Sequence, residues 1–308
     1  MPELPEVETV VRELNKKLKG RLVKVVVVNS PKMVGVGPAT LSPKRQIEVE
    51  KVKRFIGTIK GKEFVSVTRR AKLLIFNLSG SWSMLVHLKM TGQFIFEDAK
   101  LQERTQGFYR LLNKPHAPLV KMPSKHTHVV FKFTDGSVLY FNDVRKFGYM
   151  KLVHDKEMGQ VRELQEFGPE PLNKNFTELC FFTAVKKHNR RQIKEILMDN
   201  KVVAGIGNIY SDEILFHARV RPNRKAVGIK NYELSNIYKY IKPVLLKGIQ
   251  AKGSSVGDFV RTDGSVGQMG KYHFVYGKRG RKCKKCGTII ESIKVGGRTG
   301  SYCPSCQK

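Results

Sequence analysis

No apolar run in this 308-residue sequence approaches the roughly 18 residues that a membrane span needs. The opening Met1-Pro-Glu-Leu-Pro-Glu is too acidic for the basic start of a secretory signal, so the sequence predicts a soluble, cytoplasmic protein with no membrane partner. Acidic residues are scarce as well. Against 26 Asp and Glu stand 57 Lys and Arg, a net charge of +31, and with 41% hydrophobic residues the chain is folded and very basic rather than a disordered tail. Its natural partner is a polyanion. The basic residues are spread along the whole length, which suits duplex DNA or structured RNA better than a membrane patch. Cysteine is sparse too. Of five, Cys180 stands alone in Leu179-Cys-Phe-Phe and reads as a buried structural thiol. The other four fall as two pairs after residue 282, a pattern that in a reducing compartment indicates metal ligation rather than disulfides. No internal repeat is present.

Hydrophobic periodicity divides the chain. Pro5 to Lys19 reads as a helix, because Val7, Val10, Val11, Leu14 and Leu18 form one stripe, Glu6 and Glu8 lie early, lysines lie late, and Gly20 follows. From Arg21 to about Val153 the pattern becomes that of strands, among them Leu22 to Val28, Phe64 to Val67, Leu73 to Leu78, Met84 to Leu88 and Phe94 to Phe96. Val129 to Tyr140 reads as a hairpin around Thr134-Asp-Gly-Ser137. The first half is thus expected to be a β-sandwich with the first helix packed on it. Two stretches rich in Pro, Gly and Lys, Ser30 to Lys53 and Asp98 to Lys125, read as long surface loops. Beyond Gly168-Pro-Glu-Pro-Leu172 the texture turns helical, at Phe176 to His188, Arg190 to Asp199, Ile209 to Ala218 and Tyr232 to Ala251, with Pro243 expected to kink or break the last.

Cys283-x2-Cys286-x16-Cys303-x2-Cys306 has the spacing of four thiolates closing a tetrahedron around one zinc ion. Four sulfurs leave no open position, so this zinc is structural, shaping a hairpin flanked by basic residues. If Met1 is removed, Pro2 presents a secondary amine whose pKa, on the order of 7.7–8.0, leaves free base near neutrality. Attack on a sugar C1′ would give an iminium that has no nitrogen proton to lose, which acidifies C2′ and promotes strand-breaking β-elimination. Glu3, beside it, is placed to protonate the ring oxygen. As residue types alone, Pro2 and Glu3 read rather as an extended leader, and Glu6 and Glu8 as partners of the helix dipole. Val203-Ala-Gly205-Ile-Gly207-Asn208-Ile-Tyr210 reads as a glycine turn feeding a helix, whose exposed amides would bind phosphate, or simply as a turn between packed helices. His87, Met90 and Phe147 would ordinarily be assigned to a core, and Arg69-Arg-Ala-Lys72 to a solvated strand edge.

Taken in order, Met1-Pro-Glu-Leu-Pro-Glu-Val-Glu8, Arg69-Arg-Ala-Lys72, His87-Leu-Lys-Met-Thr-Gly92, Lys125-His-Thr-His128, Asp143-Val-Arg-Lys-Phe-Gly148, Gly168-Pro-Glu-Pro-Leu172, Leu197 to Tyr210 and the four cysteines resemble the formamidopyrimidine-DNA glycosylases over nearly the whole chain. The resemblance implies an α+β multidomain fold. A β-sandwich catalytic domain with a packed helix would span 1–153, a linker 154–170, a helix-two-turn-helix DNA-binding domain 171–261, and a lesion loop with a zinc-finger hairpin 262–308. It implies an N-glycosylase and AP lyase that removes 8-oxoguanine and formamidopyrimidines from double-stranded DNA, acting as a monomer held to the nucleoid by DNA binding. Pro2 would be the Schiff-base nucleophile, Glu3 its acid partner, Lys72 an aid to elimination, and Arg298 the finger arginine that grips phosphates and serves δ-elimination. Met90, Arg145 and Phe147 match the trio that fills the gap left by the flipped base. His126 and Asn208 match DNA-backbone contacts, and Glu6 and Glu213 further acidic residues of the active site. Arg261 to Gly270 resembles the mobile segment that closes over the damaged base. Val144 and Lys146 depart from the family's usual Pro and Arg, and Lys cannot reproduce a bidentate phosphate grip. Two other readings stand beside this one. An endonuclease VIII-type enzyme for oxidised pyrimidines is opposed by Glu3-Leu-Pro5 and by the trio, and a non-enzymatic zinc-ribbon nucleic-acid-binding protein leaves Pro2, Glu3 and Lys72 without a purpose.

Overall fold

The computed structural model describes residues 1–39, 49–111 and 118–308. By contact the chain separates into two compact units, one comprising residues 1–2, 6–165 and 252–267, the other residues 3–5, 166–251 and 268–308. Among the described residues no helix is long and apolar enough to cross a membrane.

The first unit is built on helix α1 (Leu4–Leu18), whose first residues count with the second unit, and on strands β1 (Val23–Val28) and β2 (Val34–Val36). Helix α2 (Val49–Ile59) follows, then β3 (Phe64–Arg70), β4 (Leu73–Leu78), β5 (Trp82–His87) and β6 (Gly92–Glu97). Helix α3 (Ala99–Thr105) and the short strands β7 (Phe108–Arg110) and β8 (Leu119–Lys121) precede β9 (Thr127–Phe133), β10 (Val138–Asp143), β11 (Tyr149–His154) and helix α4 (Arg162–Gln165). The strands make a four-stranded sheet, β1-β9-β10-β6, and a five-stranded sheet, β2-β11-β5-β4-β3. Alternate residues of both sheets, among them Phe131, Phe141 and Phe94 of the first and Phe76, Val86 and Leu152 of the second, share one core with the α1 stripe of Val7, Val10, Leu14 and Leu18. The expected sandwich with a packed helix is therefore what forms, and burial of that stripe is the reason the helix docks.

The two expected loops are corrected by the structure. Ser30 to Lys53 contains β2 and the start of α2, and Asp98 to Lys125 contains α3, β7 and β8; residues 40–48 and 112–117 of these stretches lie outside the described residues. Lysine-rich composition hid real signals. Val52, Phe55, Ile56 and Ile59 are spaced for one helical face, and Phe55 and Ile59 are fully buried. Asp98 caps α3 by accepting the Leu101 amide at 2.8 Å. The physical need is also visible: Ile95, Val130 and Tyr140 project from the outer face of the four-stranded sheet, and Leu101, Tyr109, Leu111 and Met122 cover them in a second small core. Strand β11, at the end of the strand-patterned region though not among the strands singled out there, sits between β2 and β5 in the five-stranded sheet.

The second unit holds α5 (Glu178–Lys186), α6 (Ile193–Met198), α7 (Asn208–Ala218) and α8 (Asn231–Gln250), then the hairpin of β12 (Glu291–Val295) and β13 (Arg298–Tyr302). Pro243 does not break α8, which runs through it; the proline lies on the exposed face, while Ile241, Val244, Leu245 and Ile249 hold the buried face in the core. Cys180 is partly exposed rather than buried, packed against the rim of that core.

Candidate active site

In the second unit, the turn Val203 to Asn208 delivers α7 with its first amides pointing at Glu3. Glu3 is buried (2% exposed), its Oε1 accepting the Ile209 amide at 2.8 Å and its Oε2 the Tyr210 amide at 3.3 Å. Of the two readings of this turn, the one that leaves the α7 N-terminus open for a phosphate does not hold: its amides take a carboxylate of the chain itself, because unpaired N–H groups and the positive end of the helix dipole favour an anion. Two glycines make this possible. Gly205 has φ +88°, and its carbonyl accepts the Leu4 amide at 3.0 Å. At Gly207 a Cβ would lie 2.6 Å from Glu3 Oε1. Asn208, the first residue of α7, is half-buried, and its Oδ1 is buried without a hydrogen-bond partner among the described residues.

In the first unit, Pro2 is buried behind a half-exposed Met1. Glu6 accepts the Ser254 amide at 2.7 Å and so ties α1 to the chain that follows α8. Glu8 bridges Arg12 (2.7 Å) and Arg69 (2.8 Å), so Arg69 is a partner of α1 rather than a solvated strand edge. Burial works against ionisation of Glu8, but the two guanidinium groups prevail and hold its carboxyl below the usual range. Lys72 is buried as well, in the β3–β4 turn after Ala71, which takes the left-handed conformation at φ 53°. On β5, opposite the neighbouring Leu73, half-buried His87 is pushed down to about 3, first by burial and then by the charges of Lys89 and Lys72. Its Nδ1 accepts the Lys89 amide at 3.0 Å.

Met90, Arg145 and Phe147 come together. Arg145 Nη1 donates to Met90 Sδ at 2.9 Å, and its guanidinium lies 4.7 Å from the centre of the Phe147 ring. Phe147 is 51% exposed, contrary to a core assignment. What fixes them is Asp143, which is fully buried and accepts the Thr91 hydroxyl, the Arg145 amide at 3.1 Å and the Gly148 amide at 2.7 Å. Thr91 Oγ1 in turn accepts the Arg145 amide at 3.0 Å. Half-buried His126 joins the same framework through its carbonyl, which accepts the Asp143 amide at 3.0 Å. Asp143 and Thr91 carry no role legible in the sequence, where the only signal is an aspartate two residues before an arginine in a turn-forming stretch. The segment after α8 is pinned too. Arg261 meets Glu13 at 2.6 Å, the Thr262 amide and hydroxyl donate to Glu13, and the Thr262 carbonyl accepts the Phe96 amide at 2.9 Å.

Glu213, in α7, is clasped by the amides of Phe274, Val275 and Tyr276 at 2.9–3.0 Å, with burial pushing its carboxyl up. Beside it Asp212 pairs with Lys194, both fully buried, and accepts the Ser301 amide at 2.9 Å. Sequence reasoning missed this link between α6, α7 and β13. Arg298 is exposed at the tip of the hairpin, after Gly296 and Gly297 in left-handed conformations. At the hairpin base the Sγ atoms of Cys283, Cys286, Cys303 and Cys306 all lie within 4.8 Å of one another. The Lys285 and Cys306 amides donate to the sulfurs of Cys283 and Cys303 at 3.4 Å, as around a metal-bound thiolate. Gln307 anchors this knuckle, accepting the Cys303 amide and donating to the Val220 carbonyl.

Three family profiles match the chain in succession. The profile of the formamidopyrimidine-DNA glycosylase N-terminal domain matches residues 1–150, that of the corresponding H2TH domain residues 167–260, and that of a zinc finger found in FPG and IleRS residues 280–308. This chain belongs to the formamidopyrimidine-DNA glycosylase family. It is 38% identical to the formamidopyrimidine-DNA glycosylase of Listeria monocytogenes and 36% to that of Pelotomaculum thermopropionicum, covering all of this chain and 99–100% of each relative. Among solved family structures it is similar to Lactococcus lactis Fpg in complex with DNA containing an abasic site (31% identity, TM-score 0.81, 99% of both chains). It is likewise similar to a mutant of that enzyme with Fapy-dG-containing DNA (32%, TM-score 0.82, all of both chains).

Proposed function

We propose that this glycosylase removes 8-oxoguanine and formamidopyrimidines from duplex DNA and then nicks the strand through a covalent Pro2 intermediate. With Met1 removed, the Pro2 nitrogen bonds to C1′, and the C1′–base bond breaks with its electron pair leaving on the base. Glu3, oriented by two α7 amides, takes the proton that the Pro2 nitrogen sheds on attack and delivers it to the ring oxygen as the sugar opens to the iminium. Loss of a C2′ proton then expels the 3′ phosphate, and a second elimination, assisted by Lys72 and by Arg298 on the phosphates, expels the 5′ phosphate. Met90, Arg145 and Phe147 fill the vacated stack, with Arg145 toward the orphaned cytosine, while His126 and Asn208 take the DNA backbone.

The observation that carries this reading is the wedge. A buried carboxylate with three donors rigidly presents an exposed Phe147 and Arg145. Such a device has no use in stabilising a monomer, but it offsets the few kcal/mol that unstacking a base costs. The four cysteines fit one zinc, since Zn–S bonds of about 2.3 Å bring tetrahedral sulfurs to roughly 3.8 Å. Such an ion, when bound, supplies structure and no open coordination site. The protein works as a cytoplasmic monomer, held to the nucleoid by its own affinity for DNA.

Borohydride trapping on duplexes carrying 8-oxoguanine opposite cytosine, or thymine glycol, tests the assignment. Wild type should give a covalent adduct with the oxidised purine that is lost in Pro2→Gly and weakened in Glu3→Gln. A preference for thymine glycol would assign the endonuclease VIII type instead. Neither adduct nor base release from zinc-loaded protein lacking Met1 would sink the catalytic reading.

A further inference from the structure

The second unit contains a cleft of about 360 Å³ that uses neither Pro2, Glu3, Lys72 nor the wedge, formed by α7, α8 and the residues around 269–284. One wall is a preassembled aromatic stack. The His217 ring lies parallel to Tyr240 (centroids 5.4 Å, 26°) and edge-on to Phe274 (4.9 Å, 75°), and Phe274 stacks on Phe216 behind it (5.0 Å). Tyr272, 46% exposed, contributes a further ring, and Val244 and Met269 complete an apolar floor. The rim is cationic. Lys247 Nζ lies 4.2 Å from the centre of the Tyr272 ring, and Lys284 Nζ lies 5.8 Å from that of Phe274 while donating to the Lys271 carbonyl at 3.1 Å. Lys271 is the third rim cation. The acid in the lining, Glu213, accepts three backbone amides and feels the charge of Lys284, which leaves Lys247 and Lys271 as the rim cations farther from its influence. His217 is held below its usual range, by burial and then by Lys285, so its ring stacks as a neutral imidazole.

We propose that this cleft is a second binding site for an unpaired nucleotide, with the base against the His217, Tyr240, Tyr272 and Phe274 rings and the phosphate on Lys247, Lys271 and Lys284. The chemistry is that of single-stranded nucleic-acid sites, where every base offers a π-face for stacking and lysines neutralise the phosphate. The volume falls in the range of small-ligand pockets. The proposal does not depend on the repair reaction, and its test has a readout separate from it.

Zinc-loaded full-length protein is titrated with dAMP by calorimetry, beside 2′-deoxyadenosine and inorganic phosphate, each of which offers half of the ligand. Saturable dAMP binding is expected, with both halves at least about tenfold weaker. The double variant Lys247→Glu/Tyr272→Ser, altered only at exposed side chains, should weaken dAMP at least about tenfold while leaving Tm, zinc content and borohydride trapping unchanged. Absence of saturation to about 10 mM, phosphate alone binding as well as dAMP, or full binding in the double variant each overturns the site. A competition arm identifies the source. If dAMP displaces a duplex bearing one unpaired 5′-terminal nucleotide but not a blunt one, strand ends are the ligand. If it displaces neither, free nucleotide is.

Discussion

Gly207→Ala isolates the contact on which the proposed acid step depends. Gly207 has φ −135°, a conformation open to alanine, so the substitution carries no backbone strain and acts through its methyl group. That carbon would sit 2.6 Å from Glu3 Oε1, where ordinary contact is roughly 3.5 Å, so the carboxyl must retreat by about 1 Å. Glu3 is only 2% exposed and cannot swing into solvent. It therefore gives up or stretches its bonds to the Ile209 and Tyr210 amides. A hydrogen bond to a charged group contributes about 1.5–3 kcal/mol, which puts the stability cost at about 2–4 kcal/mol and the fall in Tm at roughly 5–15 °C. A 1 Å misplacement of a reacting group costs on the order of 100-fold in rate. Single-turnover base release, compared with trapping on a preformed abasic site, measures that loss at the step using Glu3. If the methyl acts only through Glu3, the double variant Glu3→Gln/Gly207→Ala releases base no more slowly than Glu3→Gln alone. Wild-type rates in Gly207→Ala, or rate losses that multiply in the double variant, would refute the argument.

Three further outcomes follow from other parts of the molecule. Asp143→Ala strands the Thr91 hydroxyl and the Gly148 amide and leaves the Arg145 amide with Thr91 Oγ1 alone; a cost of about 2–4 kcal/mol is expected, with faster hydrogen exchange across 143–148 and weakened base extrusion by 2-aminopurine fluorescence at unchanged zinc content. Chelation, or Cys303→Ser, should release about one zinc per chain, disorder the 283–306 hairpin and abolish DNA binding, while amide exchange in the β1–β11 sandwich stays protected. His273 is fully buried, and burial, followed by the charge of Lys278, brings it down to about 4. The folded state therefore stays neutral where the unfolded chain takes up a proton, and stability falls as pH drops from the ordinary histidine value of 6.5 toward 4, by up to about 1.4 kcal/mol per pH unit. His273→Leu should flatten denaturant midpoints over that window; an unaltered pH slope would remove His273 as the cause.

Much of the molecule was legible in residue order. The α1 stripe, the strand alternation of the sandwich, four of the helices and the cysteine spacing are local patterns, each set by a period of 2 or 3.6 residues or by the reach of a metal's ligands, and each formed as read. Where lysine-rich composition was weighed above periodicity, at α2 and α3, the reading failed, because charged residues on one face of a helix say nothing about the burial of the other. The candidate site was legible only as a set of names. That Glu3 would take the amides of a helix more than two hundred positions away, that Asp143 would organise Arg145 and Phe147, and that Lys194 and Asp212 would bury each other's charge are long-range pairings. No spacing encodes them. Sequence determines which groups carry unsatisfied donors, acceptors and charges; only the packed tertiary structure, by excluding water, decides which of those groups must satisfy one another.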